Sequence, residues 1–478
     1  MSDLPVIEPS AEAGLVPTTA PGQSVRRLRL DDPALLPGQT FEIVTDRIAA
    51  IPLRQKPFLW WWIGMILVVP WVGGLMTGIA RVFISGPGVY GLNWPAMWGY
   101  DIIDYVWWIG IGCGAAFISA LFYILGADWR AGIGRIAETV AVLSAATSGI
   151  FPIIHLGRPW LFYWLYPYPN MQGYWPNWRS PLLWDFWGIQ SFLVVTACFW
   201  FLSMMPDFAA LRDRARTKPR AMVYGVLALG FRGSGRQWRH HRAVCGALAI
   251  VVLIAACDTH SIAALDFAGA ATVGWHTTQM PPYFLFGAVL SGAAMILLVG
   301  LPLRRLLRFG DMITGRHVDM LCRILLTSSL FITYSYALEA FMSWYSGDPA
   351  ERTMFVHRVF GAEEGYSVWY VYWGTILFNC VFPQIFWLRP ARMIQPIVWF
   401  VSLCVLVGMW MDPYKLIAES LERTRLPSAW GSFHGSWWDW LTLIGSVGFF
   451  FFLLLLAVRL LPMVGIHNIR RLIAGRVR

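Results

Sequence analysis

Residues 437–462 read WWDWLTLIGSVGFFFFLLLLAVRLLP. The middle of this run is continuously apolar, and a membrane span needs about 20 mainly apolar residues. A transmembrane barrel would instead show alternating segments of about ten residues. The run therefore reads as a helix. Nine more stretches read the same way: 58–84, 104–126, 133–155, 184–206, 243–266, 281–303, 320–344, 368–388 and 395–412. The expected fold is an all-α integral membrane protein of about ten transmembrane helices. Segments two to five and six to nine are expected to form two four-helix bundles, with the outer segments flanking them. Composition agrees: only 13% of the 478 residues are charged, against roughly 25% in soluble domains.

Residues 1–40 are rich in Pro, Ala, Ser and Gly and lack an apolar run. They are expected to be a disordered or partner-contacting cytoplasmic tail, followed by a membrane domain over 41–465 and a basic cytoplasmic tail over 466–478. The link at 207–242 holds nine Lys and Arg residues, among them Arg212, Arg214, Arg220 and Arg242. Arg304, Arg305, Arg308 and Arg316 lie in a second link, and Arg470, Arg471, Arg476 and Arg478 in the tail. With ten spans these all fall on one side, which the positive-inside rule makes cytoplasmic. Both termini are then cytoplasmic, while the link at 345–367, with Asp348, Glu351, Glu363 and Glu364, faces the other side. Because the excess positive charge sits in these links, it does not indicate nucleic acid. The seven cysteines form no CxxC pair, which argues against an iron–sulfur or zinc site and against a disulfide framework.

Ionisable groups at membrane depth are costly and usually mark a site or a proton path. His155 and Asp266 close the third and fifth segments, and Asp185 opens the fourth, so the topology puts all three at one outer level. Asp258 and His260 are two residues apart and point about 200° apart on a regular helix. They cannot both face one small site unless the helix is broken there. Bland alternatives stand beside each residue. His155 and Asp185 have helix-capping roles open to them, Asp266 a pairing with Arg158 or Arg179, and Glu339 a pairing with a buried Arg or Tyr. His240, His241, His317, His357 and His467 fall in links or the tail and read as solvated. His276 lies near the cluster.

Several motifs resemble the NrfD, or polysulfide-reductase-like, family of membrane proteins. They are His155-Leu-Gly-Arg158-Pro-Trp through Asn170, Arg179-Ser-Pro-Leu-Leu-Trp184-Asp185, Thr259-His260-Ser-Ile-Ala-Ala-Leu-Asp266, Gly274 to Tyr283, and Tyr336-Ala-Leu-Glu339 to Gly347. The run from Asn93 to Gly112 is most similar to the larger quinol-binding membrane subunit of bacterial alternative complex III. Three positions depart from the family pattern: Cys113, Asp258 and Asp412.

The resemblance implies a menaquinol or ubiquinol substrate and a place in the bacterial cytoplasmic (inner) membrane. It implies a site made by His155, Arg158, Trp184, Asp185, His260 and Asp266. A quinol loses two protons and two electrons, so its oxygens need hydrogen-bond partners and a base. His155 would bind one oxygen, Asp185 and Asp266 would take protons, and Trp160, Phe162, Tyr163, Trp164, Trp184 and Trp187 would supply an apolar slot. No haem or iron–sulfur cluster is expected in this chain. The electrons would leave to an iron–sulfur subunit on the periplasmic face, within a complex that also holds multihaem cytochrome c subunits, a related membrane paralogue and lipid. A proton path is expected along Glu138, Ser144, Thr147, Asp258, Thr333, Tyr334, Tyr336 and Glu339. The alternatives are a quinol-exchanging anchor of a periplasmic molybdoenzyme, the smaller paralogue, a haem b carrier and a secondary transporter.

Overall fold

The computed structural model describes residues 28–168, 173, 175–275, 277–361, 369–423 and 425–476. Residues 1–27, Asn170, His276, Glu363, Glu364 and Arg478 lie outside the described residues. Every regular element among the described residues is helical. In chain order the α-helices are α1 (Phe41–Leu53), α2 (Leu59–Ser85), α3 (Tyr100–Ile124), α4 (Arg130–Ser148), α5 (Ile150–His155), α6 (Pro181–Arg214), α7 (Lys218–Leu227) and α8 (Gly235–Ala268). Then come α9 (Met280–Leu306), α10 (Gly315–Tyr345), α11 (Pro349–Phe360), α12 (Trp369–Ile376), α13 (Gln395–Tyr414), α14 (Ser420–Glu422), α15 (Trp437–Leu460) and α16 (Ile466–Arg476).

Local chemistry sets several boundaries. The Ser436 hydroxyl accepts from the Trp438 and Asp439 amides, while the Asp439 carboxylate accepts the Ser436 N–H at 2.7 Å. This capping box satisfies donors that the first turn of α15 would otherwise leave open. Ser234 and Gln237 do the same for α8. At α10 the Thr314 N–H donates to His317 Nδ1 at 2.9 Å, and His317 is buried rather than solvated. His241 is also buried, with Nε2 2.9 Å from the Leu202 carbonyl. Both histidines stand in links by sequence position, yet helix packing encloses them.

Among the described residues, nine helices are long and apolar enough to cross a membrane, so the chain is a multi-pass membrane protein. The segment expected at 368–388 is interrupted: α12 passes into a π turn at Leu377–Val381 and a 3-10 turn at Phe382–Trp387. Pro383, which has no amide hydrogen to donate, sits in that last turn. The segment expected to stop at 412 runs on through Pro413 and a π turn at Lys415–Glu419 into α14. Its charged residues resemble a helix end in sequence, but they are buried and paired.

α3, α4, α6 and α8 form one bundle, and α9, α10, α12 with its turns, and α13 form the second. α2 and α15 pack on each other and flank the first. The bundles join where α3 meets α9. Lipid is as apolar as these helices, so close packing and interhelical hydrogen bonds must hold them together. A side chain on Gly114 would overlap the Ala288 carbonyl, and one on Gly292 would overlap the backbone at Gly114 and Ala115. Indole N–H groups add ties: Trp107 to the Leu406 carbonyl at 3.0 Å, Trp108 to Ser446 at 2.9 Å and Trp61 to the Leu455 carbonyl at 2.8 Å.

The arginine-rich links and α16 gather at one end. Arg214 pairs with Asp46 at 2.5 Å, Arg47 pairs with Asp311, and the His467 N–H donates to Asp207 at 3.2 Å. Residues 28–40 dock there too: Thr314 donates to the Pro33 carbonyl at 2.8 Å, and Leu35 is buried. The starts of α3, α6 and α9 and the ends of α5, α8 and α10 meet at the opposite end.

Candidate functional site

At that opposite end two polar clusters form, one in each bundle. The first begins with α3. Its first turns carry Asp101, Asp104 and Tyr105, all buried. α5 brings His155 to Asp101, with Nδ1 2.6 Å from Oδ2. With Nδ1–H donating to the Asp101 carboxylate, a neutral ring keeps Nε2 as its accepting nitrogen. The Asp101 Oδ1 is itself held by the Ile102 amide at 2.9 Å. His155 remains partly open, at 28% side-chain exposure, and Trp98 meets it edge-on with the ring centres 6.4 Å apart.

One helix over, the Tyr105 hydroxyl donates to Asp185 Oδ2 at 2.6 Å. Asp266, from α8, lies within electrostatic reach of Asp185. Oδ1 of Asp185, Oδ1 of Asp266 and Oδ2 of Asp104 are buried without a hydrogen-bond partner. Such orphans at depth call for a water or a ligand. Asp104 Oδ1 accepts from the Trp410 indole at 2.8 Å, which connects this cluster to α13.

The structure thus brings His155, Asp185 and Asp266 to one level, as their sequence positions suggested. It adds Asp101, Asp104 and Tyr105. His260 is reached from His155 through the rings of Trp98, Phe267 and Phe284. It faces the second bundle instead, lining a cavity of about 30 Å³ with Tyr283, Ser291 and Asp412. That volume holds a water or two. Asp258 lies on the exposed face of unbroken α8, opposite buried His260, as helical geometry requires. Arg158 is exposed just beyond α5. Trp184 is 39% exposed, and its indole donates to the Trp178 carbonyl at 2.7 Å. Trp160, Phe162, Tyr163 and Trp164 lie exposed on the 3-10 turn Pro159–Leu165, at the rim rather than inside a slot.

The second cluster was mostly unforeseen. Arg358 on α11 donates to Glu339 at 2.7 Å and to Ser420 at 2.7 Å, and lies 3.6 Å from Glu419. Burial opposes its charge, but Glu419 and Glu339 hold the guanidinium above its ordinary value. Lys415 reaches Glu339 at 3.2 Å and Asp412 at 3.3 Å, with its ammonium 4.5 Å from the Tyr336 ring centre. The Tyr283 hydroxyl donates to Asp412. Beside them a cavity of about 220 Å³ is lined by Gln279, Tyr283, Ser335, Glu339 and Lys415. Glu339 is therefore the partner of a buried arginine, and Tyr336 joins it.

The remaining expected proton-path residues divide. Thr333 and Tyr334 are exposed on α10. Glu138 is buried in the other half of its bundle, paired with Arg130 and 3.3 Å from Arg135; Arg135 also pairs with Asp207 at 2.9 Å. Ser144 is buried with an unpartnered hydroxyl, and Thr147 donates back to the Leu143 carbonyl. Among the described residues no group of three His, Cys, Asp or Glu is arranged to hold a metal.

Comparison with known proteins places these clusters in a recognisable setting. The family model described as polysulphide reductase, NrfD, matches residues 88–424, a span that contains both clusters. The chain is 24% identical to a selenate reductase subunit of Mesobacillus selenatarsenatis, over 81% of this chain and 91% of that one. It is also 24% identical to a putative dimethyl sulfoxide reductase membrane subunit of Halobacterium salinarum, over 43% of each chain.

Proposed function

Because this chain belongs to the NrfD polysulphide reductase family, we propose that it is the quinol-binding and quinol-oxidising membrane subunit of a respiratory oxidoreductase complex. The observation that carries this is the His155–Asp101 pair beside the Tyr105–Asp185–Asp266 group, whose buried carboxylate oxygens lack partners. One quinol hydroxyl donates to His155 Nε2, and that proton moves to the imidazole as the first oxygen is oxidised. Asp101 stabilises the imidazolium. The second hydroxyl faces Asp185, which takes the other proton, and Asp266 relays it. Tyr105, by donating to the far oxygen of Asp185, orients the carboxylate. Two electrons leave as quinol becomes quinone, and they pass to an iron–sulfur partner docked at this end of the bundle. The exposed aromatic rim at Pro159–Leu165 suits that contact or the membrane interface.

Two assemblies fit. The motifs in 93–112 favour the alternative complex III type, with multihaem cytochrome c subunits and a membrane paralogue. The selenate reductase relative, matched over nearly its whole length, favours an anchor that feeds a periplasmic molybdoenzyme. The partners that co-purify with the chain separate the two.

The reaction itself is tested by His155→Ala combined with Asp185→Asn in the assembled complex. Losing a general base costs about 100-fold or more, so quinol oxidation should fall at least that far while the complex still assembles. Turnover at the wild-type rate would refute the site.

A further inference from the structure

At the end of the bundle away from both clusters, a cavity of about 930 Å³ opens between the α3–α4 turn, the starts of α8 and α10, and α16. Phe122, Tyr123, Ile124 and Leu472 give it an apolar wall. Arg242, Arg316 and Arg471 stand at its rim, exposed, and none has a carboxylate partner among the described residues. The only lining carboxylate among the described residues is Asp128. Arg130, at the back, is buried and already engaged by Glu138 and Ser119. A second cavity of about 600 Å³ lies on the other flank of α16 and shares Tyr123, Arg242, Asn468 and Arg471.

We propose that the larger cavity binds the headgroup of an anionic phospholipid. Guanidinium groups present paired donors that match phosphate oxygens, and here three of them are left without a carboxylate. The apolar wall beside them suits the start of an acyl chain, which free phosphate does not carry. The cavity lies at the ends of the spans, the level of lipid headgroups. It is on the arginine-rich side, where basic pockets between helices meet anionic lipid. α16 buries Ile466 and Ile469 against the bundle and leaves Arg471 exposed at the cavity, as an interfacial helix does.

The test titrates the delipidated complex with phosphatidylglycerol, phosphatidylcholine and inorganic phosphate, with binding read by native mass spectrometry. Phosphatidylglycerol should bind and the other two should not. Arg242→Gln with Arg471→Gln should weaken that binding roughly thirtyfold. Asp128→Asn, which leaves the arginines in place, should tighten it. Equal binding of the two lipids, competition by inorganic phosphate, or unchanged binding in these variants would overturn the proposal. Binding that appears only after residues 2–27 are deleted would also overturn it, because the chain's own tail would then fill the cavity.

Discussion

Asp101 shows how one side chain sets the chemistry of another. It touches His155 rather than the proposed quinol, so its role is to position the ring and compensate its charge. Asp101→Asn keeps the shape but removes the charge that favours an imidazolium. Quinol turnover should fall by about tenfold or more with the quinol KM nearly unchanged, and steady-state kinetics separate the two. A KM rise with unchanged kcat would mean that Asp101 serves binding alone. Arg358 poses a stability question. Arg358→Ala leaves Glu339 and Glu419 short of a cation in a buried network, at a cost of about 3–5 kcal/mol. Thermal denaturation of the solubilised protein should register that loss, and adding Glu419→Gln should restore part of it. His155, Asp185 and Asp266 were legible in the sequence because each interrupts or bounds an apolar run. Asp104 bounds its run in the same way and Asp101 lies just before it, but nothing in one dimension shows that α5 and α13 close over this turn and bury both. Lys415 and Glu419 follow Pro413, which looks like a helix end in one dimension. Only the approach of Glu339 and Arg358 makes their burial tolerable, and that approach is tertiary.

At the scale of elements, the joint between α3 and α9 fixes how the two bundles face each other, and hence the distance between the two polar clusters. Glycine is required there because backbone meets backbone. Gly114→Leu should destabilise the fold by about 1–3 kcal/mol or more and lower the melting temperature of the solubilised protein. Gly73→Leu, on the exposed face of α2 with open space around it, should leave that temperature unchanged. Apolar length reveals the order of the spans, nine of them as long helices among the described residues, while their grouping into two bundles is a matter of packing. It does not reveal the π turns after α12 and α13, because those depend on which residues the neighbouring helices can satisfy. Buried Asn379 lies in the first of them, where its carbonyl accepts from Ser329 at 2.6 Å.

For the whole molecule, the arginine-rich links, α1 and α16 occupy one end and the two polar clusters the other. We propose from the positive-inside rule that the cluster end is periplasmic. A fluorescent protein fused after residue 478 should fluoresce, and alkaline phosphatase fused there should be inactive. The reverse pattern would invert the topology and move the electron-accepting partner to the cytoplasm. Where the quinol sits is tested most directly by photolabelling the intact complex with an azidoquinone, followed by peptide mapping. Label is expected on the peptides that carry Asp101, His155 and Asp185. Label confined to the cavity beside Glu339 and Lys415 would contradict the proposed site.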